Sequence, residues 1–240
     1  MVCQFWDWYR CTPTHKHFIL KNTLQLYYAR KSFGRKKILE NVSFTLQQGE
    51  IIGLFGKNGC GKSTLLKILF GTLKPDAIDL RINELHINPR NIIPEEHIGY
   101  LPQQSFLPKH IKVRDIIPLF YTDGEAQDII FRTPFIEQVA VQKIGTLSLG
   151  QLRYLELHLV AHLPHPFLLL DEPFSMIEPL YKEVISELLV SLKAKKGIIV
   201  TDHYYQDVFQ ITDRNLVLRD GVLHNAKTPK DLKRLGYLKS

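Results

Sequence analysis

Hydrophobic and polar positions change period several times along the chain. From Thr23 the segment TLQLYY alternates, ILENVSFTL places Val42, Phe44 and Leu46 on one face, and the turn QQG leads into the apolar run EIIGLF. Alternation at every second residue predicts half-buried strands, and the unbroken run Ile51 to Phe55 predicts a strand buried on both faces. A glycine-rich turn follows, and STLLKILFGTL then sets Leu65, Leu66, Ile68 and Leu69 at helical spacing. Gly71, Pro75 and the polar stretch to about Asn91 end that helix and return the chain through short extended pieces. Between Pro108 and Thr146 the apolar residues predict a small helical insertion, broken at Gly124 and Pro134.

After Ser148 the two periods alternate cleanly. A helix is predicted over about Gly150 to His162, a strand over Phe167 to Leu170, a helix from Pro179 to Ala194 and a strand at GIIVT. In the second of these helices Val184, Leu188 and Leu192 share a stripe with Ile185 and Leu189, and Lys-Lys-Gly supplies the cations and glycine that suit a helix C-terminus. LVLR, Asp220-Gly221 and VLHN read as a hairpin around a tight turn. Strands alternating with helices, with antiparallel pieces on the N-terminal side, predict an α/β fold. Its parts are a mainly parallel central sheet, an N-terminal antiparallel β-subdomain and a small α-helical subdomain at about 104–147. Residues 1–22 show no period and read as an irregular N-terminal extension to a domain spanning 23–240.

Composition narrows the class. At 240 residues, 45% hydrophobic and 23% charged, the chain has ordinary globular values, which exclude disorder as a description of the whole. No apolar run approaches the ~18–20 residues that span a bilayer, so any span is expected from another chain. Cys3, Cys11 and Cys60 form an odd, scattered set without CxxC, which fits a reducing compartment, and MVCQFWDWYRC is too polar for a signal peptide. A cytosolic chain is expected. The net charge of +7 comes from Lys and Arg scattered in sequence, which read as solvated faces, and no specific nucleic acid is expected.

The chemistry gathers at two places. Gly56, Lys57, Asn58, Gly59, Cys60, Gly61, Lys62, Ser63 and Thr64 satisfy GxxxxGK[ST], directly after a buried strand and before a helix. Glycines let the main chain wind its N–H groups toward an anion, and the helix start adds its positive dipole. Lys62 would reach the β- and γ-phosphates and Ser63 would ligate Mg²⁺. FLLLDEP then places Asp171 and Glu172 at the end of a buried strand, where they can divide the work: Asp171 for the metal, Glu172 for the attacking water. The parts are those of a P-loop NTPase.

With these motifs in order, the chain from about Leu24 to Leu223 resembles the nucleotide-binding domain of the ATP-binding-cassette family. LSLGQ, with Ser148, Gly150 and Gln151, resembles the LSGGQ signature; IGYLPQ ends in Gln103, matching the Q-loop; IIVTDH ends in His203, matching the switch histidine. The resemblance implies that Gln103 contacts Mg²⁺ and the attacking water, that His203 donates to the γ-phosphate, and that Phe33 stacks on adenine, with Tyr27 and Tyr28 as fallbacks. It also implies that Ser148, Gly150 and Gln151 meet the ATP held by another subunit. One signature per chain then implies a homodimer, or a heterodimer with another such subunit, closed around two ATP. The partners implied are integral-membrane permease subunits, with the chain peripheral on the cytoplasmic face of the inner membrane and hydrolysis driving transport. A non-transport ATPase of a soluble complex, such as iron–sulfur cluster assembly, is the alternative. Leu149 and Glu178 depart from the usual glycine and aspartate at the signature and D-loop. Cys60 reads as a packed residue at a variable loop position, though a thiol near a helix N-terminus has a lowered pKa. His158 and His162 have metal-pair spacing but no acidic partner, and read as packing residues.

Overall fold

The computed structural model describes residues 21–175 and 177–238. The extension over 1–22, apart from its last two residues, lies outside the described residues, as do Cys3, Cys11 and Met176 of the D-loop segment.

Alternation in β1 (Thr23–Phe33) buries Leu24, Leu26 and Ala29 and leaves Tyr27 exposed. That face makes β1 the centre of an antiparallel sheet with β2 (Lys36–Leu39), β3 (Phe44–Gln47), β5 (Ala77–Ile82) and, on the edge of β5, β6 (Leu85–His86). β4 (Ile51–Phe55) opens the second sheet, whose strand order is β11-β10-β4-β9-β8-β7. β7 (Ile98–Leu101), β8 (Phe167–Asp171), β9 (Gly197–Thr201) and β10 (Arg214–Arg219) run parallel to β4. β11 (Val222–Ala226) returns antiparallel after Asp220 and Gly221, both at positive φ, as the tight turn requires.

β4, β8 and β9 are buried throughout, yet a period of two survives inside their apolar runs. Ile51, Phe55, Leu168, Leu170, Ile198 and Val200 join one core with the helices; Ile52, Leu54, Phe167, Leu169 and Ile199 join the other with the β-subdomain and α1 (Lys62–Leu69). The central sheet is thus the wall between two cores. Registers Leu101↔Leu170, Asp171↔Thr201 and Gly53↔Val200 bring the carboxyl ends of β7, β8, β9 and β4 to one edge, where ligands bind in open α/β sheets.

The helical insertion comprises α2 (Val113–Phe120), α3 (Gly124–Phe131) and α4 (Ile136–Val139). Pro134 separates α3 from α4 as expected, but Gly124 does not break a helix: it begins α3, because the Asp123 carboxylate accepts the Ala126 N–H at 2.9 Å and caps it. α5 (Leu149–Ala161) starts one residue early, behind Ser148 as its N-cap, and α6 (Pro179–Lys193) follows β8. Two helices went unread in the sequence, α7 (Tyr205–Ile211) and α8 (Pro229–Arg234). α8 lies within the C-terminal lysines taken as a solvated run; a Thr228/Asp231 capping box and one buried residue, Leu232, organise it.

Candidate functional site

The phosphate loop needs its glycines for space as well as for φ. Gly61 sits at φ +113, and a Cβ there would stand 2.6 Å from Ile38 Cγ2; at Gly56 one would stand 2.5 Å from Cys60 Sγ. Lys62 is 7% exposed and donates to the Gly56 carbonyl at 2.8 Å, its one hydrogen-bond partner among the described residues. The ammonium is thereby tethered to the loop, and its other donors remain for an anion. Asn58, Gly59, Gly61, Lys62, Ser63 and Thr64 line a cavity of ≈ 320 Å³, together with Ile38, Gln103, Glu172 and His203. Residues predicted from β4, β7, β8 and β9 ends therefore meet in one space.

Asp171, next to Glu172 in the chain, is buried at the end of β8 and does not itself line the cavity. Its Oδ1 accepts from Thr201 Oγ1 at 2.9 Å and its Oδ2 from the Tyr100 hydroxyl at 3.3 Å. Burial first, then the carboxylate's charge, pushes the Tyr100 pKa up, so that phenol stays a donor. Glu172 leaves the strand at φ +57, a left-handed conformation that costs a non-glycine residue about 1 kcal/mol or more. Its N–H donates to the Thr201 carbonyl at 2.8 Å, holding the bend. The bend turns its carboxylate to His203, with Oε1 3.0 Å from Nε2, while Oε2 accepts from Ser175 Oγ at 3.1 Å.

Five supporting residues were missed in the sequence: Tyr100, Arg153, Ser175, Thr201 and Asp202. Asp202 is 1% exposed and accepts the N–H groups of Phe174 at 2.7 Å and Tyr204 at 3.0 Å, which fixes the His203 loop against the Glu172 loop. Burial raises its pKa, against the pull of those N–H groups. Arg153, buried on α5, donates to the carbonyls of Pro102 at 2.6 Å, Asp171 at 2.5 Å and Glu172 at 3.2 Å, and pairs with Glu156 at 3.5 Å. It joins the Q-loop root, the signature helix and the two acids. A lone cation between Leu152 and Tyr154 was its only signal.

Of the signature residues, Leu149 shares an adjoining cavity with Gln103, Glu172 and His203. Ser148 Oγ accepts the Gln151 N–H at 3.2 Å and Gln151 Oε1 accepts the Ser148 N–H at 2.9 Å, a complete capping box. Gly150 is packed under Tyr181, whose Cδ2 would lie 3.2 Å from an added Cβ. Ser148, Gly150 and Gln151 do not line the phosphate cavity of their own chain, and Leu149 beside them is 61% exposed.

Phe33 is exposed at the end of β1, with Lys31 Nζ 5.2 Å from its ring centroid, and is likewise outside the cavity lining. Arg81 already covers a face of Tyr27 at 4.4 Å. Cys60 does not turn its side chain to the phosphate cavity: it lines a second cavity of ≈ 250 Å³ behind the loop with Gly56, Leu235 and Tyr237. Burial outweighs Lys62 there and pushes the thiol pKa up, not down. The His158 and His162 rings stack 5.3 Å apart, and burial takes the His158 pKa down to about 3. No metal-binding cluster of His, Cys, Asp and Glu occurs among the described residues.

Similarity to known proteins agrees with this geometry. The family profile described as ABC transporter matches residues 39–175, from the end of β2 through both acids. The lipopolysaccharide export system ATP-binding protein LptB of Acidithiobacillus ferridurans is 28% identical over 224 residues, covering 89% of this chain and 93% of that protein. The Nod factor export ATP-binding protein I of Rhizobium sp. (strain N33) is 31% identical over 210 residues, covering 84% and 69%. A solved ATP-binding subunit of an ABC transporter superposes with a TM-score of 0.78 at 21% identity over 90% of this chain and 95% of that one, a likeness of fold. No helix among the described residues is long and apolar enough to cross a membrane. The chain belongs to the ABC transporter family, as an ATP-binding subunit whose ATP hydrolysis is coupled to transport.

Proposed function

We propose that this chain holds MgATP in the phosphate-loop cavity and that Glu172 takes the proton from the attacking water. The observation that carries the reading is the Glu172–His203 contact, 3.0 Å, in a cavity shared with Lys62, Ser63 and Gln103. Glu172 then acts as general base, His203 holds and orients its carboxylate, and Lys62 meets the β- and γ-phosphate oxygens. The donors suit a hard cation: the Ser63 hydroxyl and Gln103 side-chain oxygen at the cavity, and Asp171 at the end of β8, which packs on α1. Bound there, Mg²⁺ would neutralise phosphate charge.

Ser148, Gly150 and Gln151 act on the ATP of a second subunit: they do not line their own chain's phosphate-loop cavity, and they stand at the N-terminus of a helix of 13 residues. The functional unit is a homodimer or heterodimer around two ATP, attached through integral-membrane permease subunits to the cytoplasmic face of the inner membrane. Phe33 stacks on adenine with its exposed ring. Similarity along nearly the whole length of an export ATP-binding subunit favours this over a soluble-complex ATPase.

Glu172→Gln tests the reading. It keeps ATP binding, abolishes turnover and accumulates an ATP-dependent dimer in size-exclusion chromatography, whereas Lys62→Ala loses nucleotide binding. Hydrolysis by Glu172→Gln at the wild-type rate would remove Glu172 from the role of base.

A further inference from the structure

The C-terminal segment reaches the site from behind, and none of the chemistry above uses it. Past α8, Gly236 at φ +72 turns the chain back and the Tyr237 N–H donates to the Leu232 carbonyl at 2.8 Å. Leu232 is buried, so this closure anchors Tyr237 to the core. The Tyr237 ring centroid lies 5.4 Å from that of Phe55, the residue before the phosphate loop. Its hydroxyl donates to the main-chain carbonyl of Asp202 at 3.2 Å, the residue before His203. One side chain thus joins the roots of two of the loops that form the cavity. Burial, with the charges of Asp202 and Glu172, pushes the Tyr237 pKa up to about 12, so its proton is held at neutral pH.

We propose that Tyr237 is a positioning residue for ATP hydrolysis: its hydroxyl sets the main chain at Asp202 and so aims His203, while its ring supports Phe55 and the phosphate loop. The inference rests on the reading of His203 and Glu172 as the hydrolytic pair. Asp202 has its carboxylate committed to Phe174, Tyr204 and Ser175, which leaves the carbonyl as the point where another element can steer this loop. Asp202 is also 1% exposed, so bulk water does not replace a lost phenol. The two halves of the side chain therefore have separable effects, the hydroxyl on turnover and the ring on nucleotide affinity.

The test uses the full-length chain, with ATPase kinetics, equilibrium binding of MgATP, and amide hydrogen exchange. Tyr237→Phe keeps the ring and loses the hydroxyl. It is expected to lower kcat roughly three- to tenfold, the worth of one neutral hydrogen bond, with KM and Kd for ATP unchanged. The Tyr204 and Tyr205 amides, which bond to Asp202 and His203, exchange faster in this variant. Tyr237→Ala weakens ATP binding as well, and Tyr237→Phe restores that binding without restoring kcat. Wild-type exchange at residues 204 and 205 in Tyr237→Phe overturns the proposal, as does a fall in kcat matched by an equal rise in KM and Kd. The exchange result does not depend on catalysis, so failure of Glu172 as the base is read separately, from Glu172→Gln.

Discussion

Arg153→Met is the substitution on which the tertiary structure makes its strongest claim. Methionine keeps the apolar stem in place but removes donors from the carbonyls of Pro102, Asp171 and Glu172 and the counter-charge from Glu156, which is 1% exposed. Burial lowers the arginine pKa, while the charges of Glu156 and Asp171 oppose that, the signature of a buried cation maintained by its partners. Breaking such a pair from one side costs about 3–5 kcal/mol, because the remaining carboxylate is stranded. A domain holds only about 5–15 kcal/mol in all, so the loss is a large share of its stability. With a urea m-value near ~3 kcal/mol/M, the upper end for single domains, the unfolding midpoint falls by about 1–2 M with m unchanged. Arg153→Met combined with Glu156→Leu removes the stranded charge and recovers a good part of the loss. A single-variant cost below about 1 kcal/mol, or a double variant no more stable than the single, would refute the reasoning.

Two further outcomes follow from burial and exposure. Burial takes the His158 pKa from its ordinary 6.5 down to about 3, so between those values the unfolded chain binds a proton that the folded chain does not. The contribution is complete above pH 6.5 and is lost as pH falls from there toward 3, reaching about 2 kcal/mol at pH 5. Urea titrations of His158→Leu at pH 7 and pH 5 should therefore show a pH-dependent loss about 2 kcal/mol smaller than the wild type's, and equal losses would show that His158 is not the buried neutral group. For Phe33, base stacking worth ~1–3 kcal/mol predicts that Phe33→Ala weakens ATP binding at least about fivefold while Phe33→Tyr does not. Calorimetric titration in the Glu172→Gln background checks this, and unchanged affinity in Phe33→Ala places the adenine elsewhere.

Several features that depend on neighbours in the chain were legible in the sequence. The apolar run of β4, the glycines and Lys62 that follow it, and the serine ahead of α5 each declare their conformation within a few residues, because φ restrictions, caps and periodicity are local forces. The same locality explains the error at Gly124: glycine was taken as a breaker although Asp123, one residue earlier, supplies the cap. α8 was hidden because a short helix with one buried leucine carries almost no periodic signal among its lysines. Which histidine faces the cavity and which is buried without a hydrogen-bond partner could not be read from composition; His203 and His158 differ only in what surrounds them.

Only the tertiary structure decided that Cys60 turns behind the loop, that Tyr237 closes on Asp202, and that the ends of four strands share one edge. Arg153 shows the reason most plainly: its carbonyl partners lie up to 51 residues away along the chain. Satisfying buried polar groups is a condition on the assembled interior, where desolvation makes each unpaired group costly, and it selects partners by distance in space rather than by order in sequence.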